Sequence, residues 1–393
     1  MKKHKLLWIF VSIMILSFVI CACANNTEAQ IKKELLDRID GNAAVYPVYY
    51  ALNAEEKELY LDICAAIENH QTSVYIGKYD SKEESDKAIK WIKNIYRQLV
   101  YEQPDYFWVD PYEYTVNEVK DGNKYNLSLM FSYIIDKETT IIKKEEYQQK
   151  ENEIVKNAKA KTGIFNKVLY VYDSILENCQ YDNELYTSAK QSDISDLGVS
   201  AYGCLVEGKT ICSGYTLAFT SIMQKLGIET GSEFNNYDEF SIIEGHVWNY
   251  CKLDGEYYYF DLTWDDTMFD NENYKPYIEY SHMYFGITKD ELSKSNFTMT
   301  EDAPTPDCNG TKYNYFVYKN QSFAQYNFEA VKASILNQMN EKYVALRFDS
   351  YGELLKAERE LLTEGQIYTI LLGKSNVRYV ISNPSLHLYI FFE

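Results

Sequence analysis

The stretch GKTICSGYTLAF, Gly208 to Phe219, and its partner GHVWNYCKLDGEYYYFDLTWDD, Gly245 to Asp266, decide how this chain is read. In and after the first, Ile211, Tyr215, Ala218, Phe219, Ile222 and Leu226 form one apolar stripe at helical period. Thr210 is the expected N-cap, and Gly227 is the glycine expected just past the helix end. This reading puts Cys212 in the first turn, where free backbone N–H groups and the helix dipole favour an anion. A cysteine so placed beside a cation can fall from a pKa of about 8.5 to roughly 3.5–7.5.

The second stretch predicts a β-hairpin. Asp254-Gly255 is a two-residue turn signal between aromatic, β-rich runs. With that turn, Leu253 pairs with Glu256, Trp248 lies opposite Asp261, and His246 lies opposite Thr263. Side chains alternate faces, so His246, Trp248, Tyr259 and Asp261 share one face, while Cys251 points the other way into a core. His246 and Asp261 become diagonal neighbours about 7–8 Å apart at the backbone, within reach of a side-chain hydrogen bond. A slip of one residue on one strand would separate them.

These residue types fit one chemistry. A thiolate attacks a carbonyl carbon, an imidazole takes and returns the proton, and a carboxylate fixes the imidazole's tautomer and orientation. Trp248 could shield the His–Asp pair from water and so strengthen it. Each residue alone has a duller reading: a cysteine on an amphipathic helix is usually a small buried hydrophobe. A histidine in a strand is usually structural, and an aspartate before Leu-Thr-Trp can simply open a turn. Only the conjunction points to a site.

The run AYGCLVEGKTICSGYTLAFTSIMQKLGIE followed by GHVWNYCKLDGEYYYFDLTWDD resembles the transglutaminase-like superfamily of papain-like thiol enzymes. It is most similar to Firmicutes surface proteins carrying a transglutaminase/protease-like domain. The family's Cys-x-Gly-Tyr run falls on Cys212 through Tyr215, its His-x-Trp-Asn on His246 through Asn249, and its Asp-x-Thr-Trp-Asp on Asp261 through Asp265. The NCQYD segment, Asn178 to Asp182, resembles the family's lead-in. The resemblance spans about Gly163 to Gly286. It departs at Cys204 and Ser213, where a small apolar residue and an acid or amide are expected. It implies an α+β papain-like fold, with the cysteine helix packed on an antiparallel sheet that carries His and Asp. It also implies a Cys212–His246–Asp261 triad and no cofactor. Such families include transferases, peptidases and inactive domains, so reaction outcome transfers poorly. Tyr202 is a candidate for the oxyanion partner.

The N-terminus reads MKKHK and then an apolar run from Leu6 to Ala22, the pattern of a secretory signal. Val19 through Cys23 resembles a bacterial lipobox with Cys23 as the acylated residue; an uncleaved anchor and ordinary cleavage near Ala22-Cys23-Ala24 are the alternatives. Each places the globular part outside the cytoplasmic membrane. No later apolar run reaches the length of a spanning helix, about 18 residues. The formal net charge is −19, and removing the signal would take away Lys2, Lys3 and Lys5 and no acid. That argues against nucleic-acid partners. The 38 tyrosines could stack on sugars or peptides, or simply fill strands. Cys64, Cys179, Cys204, Cys251 and Cys308 show no pairing pattern and read mostly as buried thiols, with a Cys204–Cys212 bridge as one option. Metal ligation is not expected: there is no H-E-x-x-H, and Asp265, Asp266, Asp270 and Glu272 lack calcium-loop spacing.

The expected plan has a signal at residues 1–22, a polar tether at 23–44 and an N-terminal α+β domain at 45–140. The catalytic domain follows at 141–303, then a small two-layer α/β domain at 304–393. Asn53 with Glu56, and Ser81 with Glu84, look like capping boxes. Strands are expected at 106–116 and 125–135 and a charged helix at 143–161. Beyond Pro304, strands are expected at 313–318, 343–348, 366–372 and 378–381, helices at 328–340 and 351–363, and an edge strand at 386–392. The resulting expectation is an extracytoplasmic lipoprotein-type thiol enzyme acting on peptide or protein substrates, wall peptides included. Hydrolysis is favoured over acyl transfer to amines. The alternative is a surface binding or adhesion module with a vestigial triad.

Overall fold

The computed structural model describes residues 28–189, 196–235, 245–267, 278, 280–294, 305–371, 376–382 and 385–392. The expected signal with Cys21 and Cys23, and the loop acids Asp270 and Glu272, lie outside the described residues. The chain forms two compact units, up to Ile142 and from Lys143 onward.

In the first unit the span expected as a tether is largely helical. Residues 28–41 form α1, because Leu35 and Ile39 sit one turn apart and are both buried. Next come α2 (Pro47–Ala51) and α3 (Ala54–Glu68), the latter opened by the Asn53–Glu56 capping box. β1 (Ser73–Tyr79), α4 (Lys82–Glu102), β2 (Val109–Asp121) and β3 (Lys124–Tyr133) complete an antiparallel sheet of order β1-β3-β2. β1 has no strong sequence signal: both of its faces are at least partly exposed. Glu102 is buried at the N-terminus of α2, accepting from the Val48 and Tyr49 amides and the Tyr60 hydroxyl. Burial nevertheless lifts its carboxyl to about 8 against those bonds.

α5 (Lys137–Lys159) starts six residues earlier than its charge pattern predicts, since Asp136 Oδ1 accepts from the Thr139 amide at 2.7 Å and sets the start there. The second unit then holds α6 (Ile164–Asn178), β4 (Gln180–Tyr181), α7 (Asn183–Ala189), β5 (Lys209–Thr210) and α8 (Cys212–Lys225). β6 (Thr230–Phe234), β7 (Val247–Leu253), β8 (Glu256–Phe260), α9 (Leu262–Thr267) and β9 (Phe285–Ile287) follow, forming a four-stranded antiparallel sheet in the order β6-β7-β8-β9. Leu253 pairs with Glu256, as the turn signal requires, and Asp254 and Gly255 take φ values of 51° and 91°.

One face of β7 meets α8: Asn249 Nδ2 donates to Thr216 O at 3.1 Å and Thr220 Oγ1 at 2.9 Å, and Thr216 Oγ1 donates to Val247 O. The other face, Trp248 and Tyr250 with Tyr259 of β8, is apolar and buried. It packs in one cluster with Ala345, Tyr389 and Phe391. Those residues belong to a second sheet, of strands β10 (Ser322–Phe323), β11 (Tyr343–Phe348), β12 (Val377–Ser382) and β13 (His387–Phe392) in the order β10-β11-β13-β12; the helices of this part are α10 (Lys289–Ser293), α11 (Tyr315–Tyr318), α12 (Phe328–Asn337), α13 (Tyr351–Ala357) and α14 (Ile367–Ile370). Val344, Leu346 and Phe348 alternate to the opposite face and pack on Val331, Ile335 and Leu354. The described residues from 305 onward therefore share a core with the preceding sheet.

Three expected elements differ here. Residues 315–318 are helical because Asn314 Oδ1 accepts from the Phe316 and Val317 amides. Residues 367–370 are helical with Ile367, Ile370 and Leu371 buried at helical spacing. The segment 386–392 supplies a central strand, not an edge: β13 pairs with both β11 and β12.

Candidate active site

Cys212 opens α8, as its periodicity predicts, and Gly227 closes it at φ 74°. The cap is different: Ile211 holds the N-cap position without a side-chain bond. Thr210 instead turns its Oγ1 to the Gly198 carbonyl at 2.6 Å, pinning the approach to the helix. Gly214 explains the Cys-x-Gly spacing. A Cβ there would sit 1.7 Å from Thr210 Oγ1 and 2.7 Å from Ser200 O, so the first turn lies directly on the preceding segment. Gly214→Ala should cost about 3 kcal/mol by overpacking and lower the thermal midpoint by roughly 6–12 °C. A drop under about 2 °C in a thermal scan would show that the contact yields freely.

His246 and Asp261 meet as the hairpin register requires. His246 Nε2 lies 2.6 Å from Asp261 Oδ2, and the Cys212 sulfur lies close enough to the imidazole to help raise its pKa. The Cys212 residue is only 7% exposed, and Asp261 is 1% exposed. Burial alone would lower the His246 pKa; the Asp261 carboxylate and the Cys212 sulfur override it and raise the imidazole to about 10. Trp248, also buried, stacks on His246 with ring centres 5.6 Å apart, beside the His–Asp pair. Cys251 points away and bonds Thr230 Oγ1 at 3.2 Å.

Asp261 is fixed from several sides. Its Oδ1 accepts from the Trp264 amide, its own amide donates to Tyr284 O, and its carbonyl accepts from the Tyr172 hydroxyl at 3.1 Å. The same hydroxyl reaches Asp265 Oδ2 at 2.5 Å. Asp265, fully buried, also accepts from the Ser281 hydroxyl and the Tyr284 amide. Burial raises its carboxyl to about 6, while His282, Ser281, Tyr172 and the Tyr284 amide hold it down. Asp266 Oδ2 accepts from the Tyr215 hydroxyl at 2.7 Å and the Tyr181 amide at 2.9 Å, tying β4 to α8.

Tyr202, the expected oxyanion partner, is engaged elsewhere: its hydroxyl accepts from Lys143 Nζ at 3.0 Å and donates to Glu146. Two aromatic neighbours that sequence reasoning did not single out do reach the site. Trp264, 37% exposed, sits edge-on to His246 with centroids 6.1 Å apart. Tyr181 lies close enough to Cys212 for the thiolate's charge to reinforce burial in raising its phenol pKa. Tyr172, buried on α6, carries the hydroxyl that joins the two aspartates. Among the described residues, no group of three or more His, Cys, Asp or Glu could hold a metal ion. No described helix is long and apolar enough to cross a membrane.

The sequence model of the transglutaminase-like superfamily matches residues 148–262, a span that contains Cys212, His246 and Asp261. No curated protein matches the chain. Among solved structures, the chain is similar to a TGase at 15% identity and TM-score 0.26, over 38% of this chain and 44% of that one. It is also similar to a candidate cysteine protease from Cytophaga hutchinsonii at 12% identity and TM-score 0.24, over 38% and 61% of the two chains. The chain thus spans less than two thirds of either protein.

Proposed function

We propose, from the premise that residues 148–262 form a transglutaminase-like domain, that this protein is a thiol enzyme acting on peptide or amide bonds. The observation that carries the reading is His246, hydrogen-bonded to Asp261 and within electrostatic reach of the Cys212 sulfur. The Cys212 thiolate adds to the carbonyl carbon, and His246 gives its proton to the leaving amine. The resulting thioester is then attacked by a water or an amine that His246 deprotonates, which frees the product acyl group and restores the thiolate. Asp261 holds the imidazole in place throughout.

Hydrolysis is the favoured outcome, because water competes in every turnover and no amine-binding group stands out among the described residues. The basic and apolar N-terminus supports an extracytoplasmic position with Cys23 as lipid anchor. Surface proteins and wall peptides are the corresponding substrates.

The test is alkylation of Cys212 in the purified full chain, with the site assigned by mass spectrometry. A His246 pKa of about 10 keeps the imidazolium charged across neutral pH. The stability this proton contributes is fully present below about 6.5 and is lost as pH rises through about 10. Iodoacetamide should therefore label Cys212 rapidly at pH 6, and His246→Ala should slow that labelling at least tenfold. Equal rates in the two proteins, rising only near pH 8.5, would sink the enzyme reading.

A further inference from the structure

We infer that the crevice between α6, α11, α12 and β11 is a binding site for a neutral saccharide. It encloses about 590 Å³, within the range of small-ligand sites. Asp173 and Glu177 face it from α6, Tyr315 from α11 and Tyr343 from β11, while His282 and Gln321 enter from connecting segments. Cys212, His246 and Asp261 are not among its lining residues, so the site is separate from the thiol centre.

The polar side chains of the crevice are held in place by the protein itself. Asp173 Oδ1 lies 2.7 Å from His282 Nε2, and the Tyr280 hydroxyl donates to Glu177 Oε1 at 3.3 Å. Gln338 is committed internally: its Nε2 donates to Ser334 O at 3.2 Å, and its Oε1 accepts from the Ala345 amide at 2.9 Å. Gln321 differs. It is 8% exposed, its amide donates to Phe316 O at 2.7 Å, and its carbonyl accepts from the Arg347 amide at 2.9 Å. Its side-chain Oε1, however, finds no hydrogen-bond partner among the described residues. A buried acceptor left without a donor is costly, and a hydroxyl entering the crevice supplies one.

Ring surfaces set the shape of the ligand. His282 and Tyr315 stack with centroids 4.0 Å apart and planes 3° apart, and Tyr280 stands edge-on to His282 at 5.6 Å. Tyr343 and Tyr389 meet at 5.7 Å with their planes tilted by 57°. Such walls are rigid and apolar with polar tips. The C–H face of a sugar ring lies against them while its hydroxyls reach the acids and amides around the rim. Charge selects against other ligands. Asp173, Glu177 and Glu341 face Lys319 and Lys342, a formal balance of −1 with His282 neutral. Phosphates and nucleotides are repelled by the carboxylates, and a cationic amine is disfavoured by the lysines. An uncharged polyol satisfies both signs, donating to carboxylates and accepting from ammonium groups.

The experiment titrates the full chain calorimetrically with cellotetraose, maltotetraose and tetra-N-acetylchitotetraose, and with inorganic phosphate and putrescine for comparison. At least one saccharide should bind with a Kd at or below about 1 mM. In saturation-transfer NMR, irradiating the protein's aromatic protons should pass signal to that saccharide's ring C–H protons. Gln321→Ala and Tyr315→Ala should each weaken binding by about tenfold or more. Glu341→Ala, at an exposed position, should weaken it severalfold and keeps the test open if a buried variant fails to fold. Cys212→Ala should bind as the intact chain does, so failure of the enzyme reading leaves this inference standing. It is overturned if none of the saccharides binds, if phosphate or putrescine binds more tightly than all of them, or if binding survives the Gln321, Tyr315 and Glu341 substitutions unchanged.

Discussion

Cys212→Ala is expected to lower kcat on any amide substrate by about 10⁴–10⁶-fold while leaving substrate affinity within a few-fold. Without the sulfur no acyl group can be held covalently, and what survives is the rate gained from positioning alone. His246→Ala should fall almost as far, because the thiolate loses its cation and the leaving amine loses its proton donor. The two losses should not add, since the residues act as a unit. A convenient readout is p-nitrophenyl acetate. The intact protein should release one equivalent of nitrophenolate in a burst and carry an acetyl adduct on Cys212, and Cys212→Ala should do neither. A labelled primary amine added to the same assay separates the two outcomes: incorporation much faster than hydrolysis would reverse the preference for water. If the intact protein shows no burst while Cys212→Ala still binds a surface ligand, the binding-module reading takes over.

The largest stability effect is expected at Asp265. Removing its carboxylate in Asp265→Ala takes the buried acceptor from the Ser281 hydroxyl and the Tyr284 amide and leaves the Tyr172 hydroxyl with the Asp261 carbonyl alone. Each orphaned group costs about 1–3 kcal/mol, so the whole change should approach 3–5 kcal/mol, a fall of roughly 10 °C or more in thermal midpoint. Asp265→Asn keeps an acceptor and both hydroxyls can reverse their bonds, so it should lose less than half as much. The pH dependence has a definite sign. A carboxyl raised from 3.8 to about 6 contributes stability that is present below 3.8 and lost as pH rises through 6. The gap between wild type and Asp265→Asn should therefore narrow from pH 4 to pH 8. Calorimetry at those two values decides the matter, and a gap that widens would mean that the carboxylate is preferred ionised.

Much of the site was legible because two local rules fix it. The Asp254-Gly255 turn sets the register, and the period of two then puts His246 and Asp261 on one face. Cys212 was legible from the α8 stripe. What failed depended on distant partners. Thr210 has a capping side chain, yet the Gly198 carbonyl competes for its hydroxyl and wins. Tyr202 is aromatic and near in sequence, but Lys143 and Glu146 claim it. Tyr181 and Trp264 enter through segment packing, for which the chain has no periodic signal. In the C-terminal part, the β-rich composition of residues 366–372 hid a helical spacing, and only burial of Ile367 and Ile370 separates the two readings. Residues 28–41 look polar because only Leu35 and Ile39 face inward.

The aromatic wall formed by Trp248, Tyr250 and Tyr259 against Ala345, Tyr389 and Phe391 has a practical corollary for anyone dissecting the gene. A fragment ending after Leu292 would carry that wall bare and should be recovered aggregated, whereas the same polypeptide nicked between Leu292 and Cys308 should elute as one species. Co-expressing the two pieces should restore a soluble complex. The trailing ninety residues would then behave as an intramolecular chaperone for the half that carries Cys212.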